Sequence, residues 1–139
     1  MRHLFVMAIF CFGTMHAFAQ IEGQWKTFND KTRKAESIIE IFKNQDGKFY
    51  GRIVQLLVEP ENHNCVACVG DRKGRPMIGL EIIRGLQKDG NEYSGGRIMD
   101  PESGDEYKCI IKRDGKYLKV RGYVGFAAMG RTQVWEKVD

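Results

Sequence analysis

Cys65-Val66-Ala67-Cys68 is the most compact set of chemistry-bearing side chains in the sequence. Two thiols at this spacing can close a local disulfide, ligate zinc or run a redox cycle, and each chemistry needs particular neighbours. A thioredoxin-like centre wants its cysteine pair at a helix N-terminus, where the dipole lowers the thiol pKa. Here Asn62-His63-Asn64 and Val69-Gly70-Asp71 flank the pair and read as loop. A c-type haem would need a histidine where Val69 stands. Zinc finds plausible ligand types in His63, Cys65 and Cys68 with Cys109 or Asp71, but a second Cys-x-x-Cys or a histidine pair is missing, so no metal is assigned. A Cys65–Cys68 disulfide is the expected state, with Cys109 as the alternative partner, and the odd cysteine count after the leader leaves one thiol unpaired. Cys109, in the apolar run Cys109-Ile110-Ile111, suits burial as a small hydrophobe.

Nucleophilic and acid–base catalysis have weaker support. His63 is the single histidine after the leader, and no serine sits in a Gly-x-Ser-x-Gly elbow. Asp100, Glu102, Asp105 and Glu106 crowd one turn, where Asp before Pro is a turn starter and the acids are solvated. No catalytic residue and no cofactor are assigned. A lining argument remains. Arg131, Gln133 and Trp135 share one face of the last strand, and Arg121 shares a face with Lys119 and Tyr123 on the strand before. Pointed inward, Arg121, Tyr123, Arg131, Gln133 and Trp135 would join aromatic walls to fixed donors suited to a carboxylate or other anion. Pointed outward, the arginines are surface charges, and the pleat fixes alternation without choosing the side.

The elements that must position these residues begin after a leader. Arg2, the apolar run Leu4 to Phe12 and the small-x-small site Ala17-Phe18-Ala19 have the n-, h- and c-region layout of a cleaved secretory signal peptide over residues 1–19. The run is too short to span a bilayer, and no later apolar stretch is long enough to cross one. Export, to the periplasm or beyond, places the cysteines in an oxidising compartment. Residues 20–139 are then enough for one domain. Without Arg2 the chain carries 21 basic against 18 acidic residues, a formal +3, too mild for a nucleic-acid footprint.

Asp46-Gly47, Asp89-Gly90 and Asp114-Gly115, with the turn Asp100 to Gly104, divide the chain into strands. Asp-Gly is a strong hairpin signal because glycine takes positive φ without strain. Eight strands are expected: Gly23–Phe28, Ser37–Lys43, Lys48–Leu57, Met77–Gln87, Glu92–Met99, Glu106–Lys112, Tyr117–Val124 and Arg131–Val138. In Tyr117–Val124, Leu118, Val120 and Val124 fall on one face. Met77–Gln87 also carries helical spacing at Met77, Leu80, Ile83 and Leu86, but its Ile82-Ile83 pair and interior glycines favour strand. Sequential hairpins favour closure, which removes exposed edges, so the expected fold is all-β: a single eight-stranded antiparallel up-and-down barrel. The 58–76 segment, holding Pro60, both close cysteines and Pro76, breaks the rhythm as a long loop.

Gly23-Gln24-Trp25 resembles the opening of the calycins, the superfamily of lipocalins, fatty-acid-binding proteins and avidins. That resemblance implies an indole closing the barrel base beneath a basic side chain of the last strand. Trp25 and Arg131 are placed in those parts, and a cation over the ring would seal the core. A wider resemblance runs through Cys65 to Cys68, Pro76 to Leu80, Arg84-Gly85-Leu86 and Gly95 to Pro101. It continues through Gly104 to Tyr107, Leu118 to Tyr123 and Gly130 to Trp135. In this order the motifs resemble domain-of-unknown-function family 2147 of exported bacterial proteins, which implies export and fold but brings no established activity.

The function expected from these readings is non-enzymatic binding of a small hydrophobic, amphipathic or anionic molecule in the barrel or at its mouth. The alternative is a non-catalytic envelope interaction or maintenance protein with a side-chain-filled barrel. A cysteine-based redox or zinc site at 65–68 ranks third.

Overall fold

Eight strands follow one another around a closed antiparallel barrel in chain order, as the hairpin signals require. They are β1 (Gly23–Phe28), β2 (Ala35–Lys43), β3 (Phe49–Leu56), β4 (Glu81–Asp89), β5 (Glu92–Met99), β6 (Glu106–Asp114), β7 (Tyr117–Tyr123) and β8 (Gly130–Lys137). The structure, a computed structural model, describes residues 5–9, 11, 20–126 and 129–139. Arg2, Leu4 and Ala17-Phe18-Ala19, on which the leader expectation rests, lie outside them. Among the described residues no helix is long and apolar enough to cross a membrane.

β1 and β8 close the ring, with Trp25 opposite Lys137 and Lys26 opposite Glu136. Tight turns make the neighbouring pairs: Gly90 and Gly115 sit at φ +60° and +59°, where a side chain would be strained. Inward positions alternate as a half-covered sheet demands. Trp25 and Thr27 on β1, Ile39 and Ile41 on β2, and Phe49, Gly51 and Ile53 on β3 are all buried. So are Cys109 and Ile111 on β6, Leu118 and Val120 on β7, and Trp135 on β8. Phe49 meets Tyr93 edge-on, ring centroids 5.0 Å apart, an arrangement favoured by the aromatic quadrupoles.

Two expectations are corrected. The strand expected over Met77–Gln87 starts only at Glu81. Gly79, at φ +90°, turns the chain instead, and the Leu80 N–H donates to the Met77 carbonyl at 3.2 Å. The strand expected to reach Val124 stops at Tyr123, and Val124 is exposed.

The long connection from β3 to β4 has its own packing. Cys65 and Cys68 are joined in a disulfide and both are buried. Since Ile83 and Ile98 face the barrel interior, their neighbours Ile82 and Met99 face outward, yet both are buried. The Cys68 sulfur lies 3.5 Å from the Met99 sulfur. Arg72, in the 3₁₀ turn Gly70–Arg72, donates to the Glu81 carbonyl at 3.1 Å and pairs with Glu106. The cysteine loop therefore lies along the outside of β4, β5 and β6, completing a small outer core.

Candidate binding site at the barrel mouth

The barrel has one sealed end and one open end. At the sealed end the Trp25 indole, fully buried, donates its N–H to the Ile21 carbonyl at 2.8 Å. The Arg113 guanidinium and the Lys137 ammonium each lie 5.3 Å from its ring. Arg113 also donates to the Gln20 carbonyl at 2.6 Å and the Gly115 carbonyl at 2.8 Å, tying the incoming chain to the β6–β7 turn. Arg131 was expected over this indole and is not there. It stands six residues along β8, roughly 20 Å of strand away, because the antiparallel register puts Lys137 opposite Trp25. Arg131 is 72% exposed and pairs with Asp30 at 3.0 Å.

Above this plug the interior is filled. Ile39, Ile41, Ile53, Ile83, Leu86, Ile111, Leu118, Val120 and Trp135 are each no more than 3% exposed. Cys109 packs among them, and burial pushes its thiol up to about 12. Such a thiol stays protonated and is a poor nucleophile.

At the other end the inward positions open to solvent. Ser37, Leu56, Ile98, Tyr107, Gly122 and Gln133 are half-buried and form a shallow ring. Thr27 and Ser37 link their hydroxyls at 2.7 Å across β1 and β2. A polar chain climbs one side of the ring. The Trp135 indole N–H donates to the Gln133 side-chain carbonyl at 3.2 Å. The Gln133 amide donates to an Asp30 carboxylate oxygen at 3.3 Å, and Arg131 pairs with that same oxygen. Val124, Phe126 and Met129 stand exposed on the connection from β7 to β8 that borders the mouth.

The five side chains offered as a ligand lining thus divide. Arg131, Gln133 and Trp135 do share one face and one hydrogen-bonded chain. Arg121 and Tyr123 do not join them: Leu118 and Val120 take the interior of β7, which turns Arg121 and Tyr123 to the outer face. There Arg121 donates to the Thr132 hydroxyl at 2.9 Å. Asp30 was missed because it sits in the β1–β2 turn, where an acid reads as solvated, and only closure of β1 on β8 brings it to Gln133. The half-open ring was missed because periodicity does not say which end of a barrel is sealed.

The disulfide changes the reading of the 65–68 loop. Both sulfurs are bonded to each other, so neither is a thiolate for metal or nucleophilic attack. His63 is exposed and meets Glu59 at 2.7 Å. Among the described residues no group of three or more His, Cys, Asp or Glu side chains is arranged to hold a metal ion.

Comparison with solved structures finds the same fold in protein HP1028 from Helicobacter pylori, described as belonging to the lipocalin family. The TM-score is 0.75 at 20% identity, over 86% of this chain and 84% of that one. A comparison with curated proteins found no match. Residues 23–137, from the first residue of β1 to the last of β8, match the family described as "Uncharacterized protein conserved in bacteria (DUF2147)". A match over this length, together with the closed eight-stranded ring, establishes that the chain belongs to the DUF2147 family and has a lipocalin-like barrel.

Proposed function

We propose that this protein is an exported, non-enzymatic binder of a small amphipathic molecule, held at the barrel mouth rather than deep inside. The observation that carries the reading is the half-buried ring of inward-facing side chains above a filled core. Leu56, Ile98 and Tyr107 offer apolar surface, while Ser37 and Gln133 offer hydrogen bonds. Small-molecule sites are mostly apolar with a few placed polar groups, and barrel mouths are common places for them. Arg131 at the rim suits an anionic head, which would compete with Asp30. The likeness to a lipocalin-family barrel supports binding over catalysis as the class of activity. Export is supported by the leader layout and by the disulfide, since such bonds persist in oxidising compartments. The exposure of Phe5, Val6, Met7 and Ile9 fits a segment that does not join the barrel.

The test is native mass spectrometry of the purified protein, followed by fluorescence titration with a panel of amphipathic carboxylates and phosphates. Binding at the mouth should shift the emission of Trp135, whose N–H bond to Gln133 borders the ring. Gly122→Leu, which fills the mouth from β7, should abolish that shift while the fold survives. If no small molecule is retained and the emission does not move, the mouth is not a binding site. The filled interior would then favour the second reading, an envelope interaction or maintenance protein with a solid barrel.

A further inference from the structure

We propose a second binding site, separate from the mouth, for a small molecule bearing an oxyanion on a short apolar body. It lies on the outer wall, in a cavity of about 380 Å³ between β2–β4 and the chain that follows the disulfide. This volume is within the range of small-molecule sites. Four arginines line it, Arg52, Arg72, Arg75 and Arg84, against the carboxylates of Asp71 and Glu81.

The hydrogen-bond inventory shows where an anion would enter. Arg84 is committed: it meets Asp71 through two bonds, at 3.1 and 2.8 Å, and Glu81 at 3.2 Å. That pairing holds the Asp71 carboxyl below its usual range. Arg52 spends two donors on a single oxygen of Glu40, at 3.2 and 2.6 Å, and lies 4.7 Å from the Phe42 ring. Its Nη1 has no protein partner among the described residues. Arg75 donates only its Nε, to the Asp71 carbonyl at 3.0 Å, so both of its Nη groups are unpartnered among those residues. Beneath them Arg72 is 7% exposed; it donates to the Glu81 carbonyl and pairs with Glu106, and its buried Nε has no hydrogen-bond partner among the described residues. Buried donors are normally satisfied, and an orphan calls for an explanation. An ion-pair staple for the loop needs only Arg72 and Arg84. The surplus donors on Arg52 and Arg75 are what an oxyanion would use, above the Arg72–Glu106 pair. Phe42, Pro76 and the 53% exposed Ile78 form the apolar wall that calls for an alkyl or aryl portion on the same molecule.

The experiment is an NMR titration of the full barrel with inorganic phosphate, octanoate and octyl phosphate, following arginine Nε–Hε and isoleucine methyl signals. Octanoate and octyl phosphate should shift Arg52, Arg75 and Ile78 saturably, and their relative affinities tell a carboxylate from a phosphate site. Phosphate alone should bind at least tenfold more weakly. Arg75→Ala and Arg52→Gln should each weaken binding about fivefold or more. The melting temperature should be unchanged in Arg75→Ala, whose side chain is exposed, and fall by a few degrees in Arg52→Gln, which also loses the Glu40 pair and the Phe42 contact. Shifts confined to Ile98 and other mouth residues, equal binding by bare phosphate, or affinity unchanged in Arg75→Ala would each overturn the proposal. Gly122→Leu should leave these shifts intact, so failure of the mouth reading is read separately.

Discussion

Replacing Trp25 with phenylalanine isolates the sealed end of the barrel. The substitution removes the indole N–H that donates to Ile21, a loss of about 1 kcal/mol. It weakens two cation–π contacts, from Arg113 and Lys137, each contributing roughly 0.5–1 kcal/mol. The smaller ring leaves a void in a site with no exposure, adding on the order of 1 kcal/mol. The total is about 3 kcal/mol. For a barrel of this size 1 kcal/mol shifts Tm by about 4 °C, so Trp25→Phe should lower Tm by roughly 12 °C in thermal unfolding followed by circular dichroism. The single-cation variants locate the source. Lys137→Met should cost about 0.5–1 kcal/mol, and Arg113→Met more because it also frees the Gln20 and Gly115 carbonyls. Arg131→Met should change Tm little, since an exposed pair with Asp30 contributes little. A drop in Arg131→Met equal to that in Lys137→Met would refute the assignment of the cap.

Other expectations follow from the same geometry. Cys109 should resist maleimide in the folded protein and react on unfolding. Its native pKa of about 12 exceeds the ordinary value of 9.0, so above pH 9 the unfolded chain binds fewer protons and stability falls as pH rises. The wild type should lose up to about 1.4 kcal/mol per pH unit more than Cys109→Ala between these values, measured by denaturant unfolding. The Cys65–Cys68 bridge closes only a short loop, with a sequence separation of 3, so reducing it should cost about 2 kcal/mol; hydrogen exchange should quicken in 58–76 while the barrel strands stay protected. Gly96→Ala should destabilise by about 1–3 kcal/mol, because a Cβ would lie 2.5 Å from the Arg84 carbonyl oxygen and force β5 from β4. Gly122→Ala should be tolerated, its nearest neighbour being the Tyr107 Cβ at 3.4 Å.

The strands were legible because hairpin glycines and period-2 patterns are local. Gly23–Phe28 and Glu92–Met99 match their expected bounds, and the cysteine pair closes as its spacing allows. Quantities set by register were not legible. Arg131 and Lys137 lie on the same strand, and only the pairing of β1 with β8 shows which one meets Trp25. The sequence pattern ends the sixth strand at Lys112, short of Arg113, whereas β6 runs on to Asp114 and carries Arg113 to the indole. Arg121 and Tyr123 looked like lining because alternation is symmetric between the faces until the burial of Leu118 and Val120 breaks the tie. The outer groove was invisible because its arginines come from β3, β4 and the loop between them, and nothing in their spacing marks them as neighbours.

The loop pressed against β4 and β5 buries the outward-facing Ile82 and Met99, while the barrel interior buries Ile83 from the other side. A saturation mutagenesis map of the family would therefore be uneven around the ring. Outward positions such as Lys119 and Thr132, wetted by solvent, should accept most replacements. At Ile82 and Met99, side chains that would be free to vary on an ordinary barrel should be nearly as restricted as the interior itself. Sequence drift would then be channelled to the opposite side of the molecule.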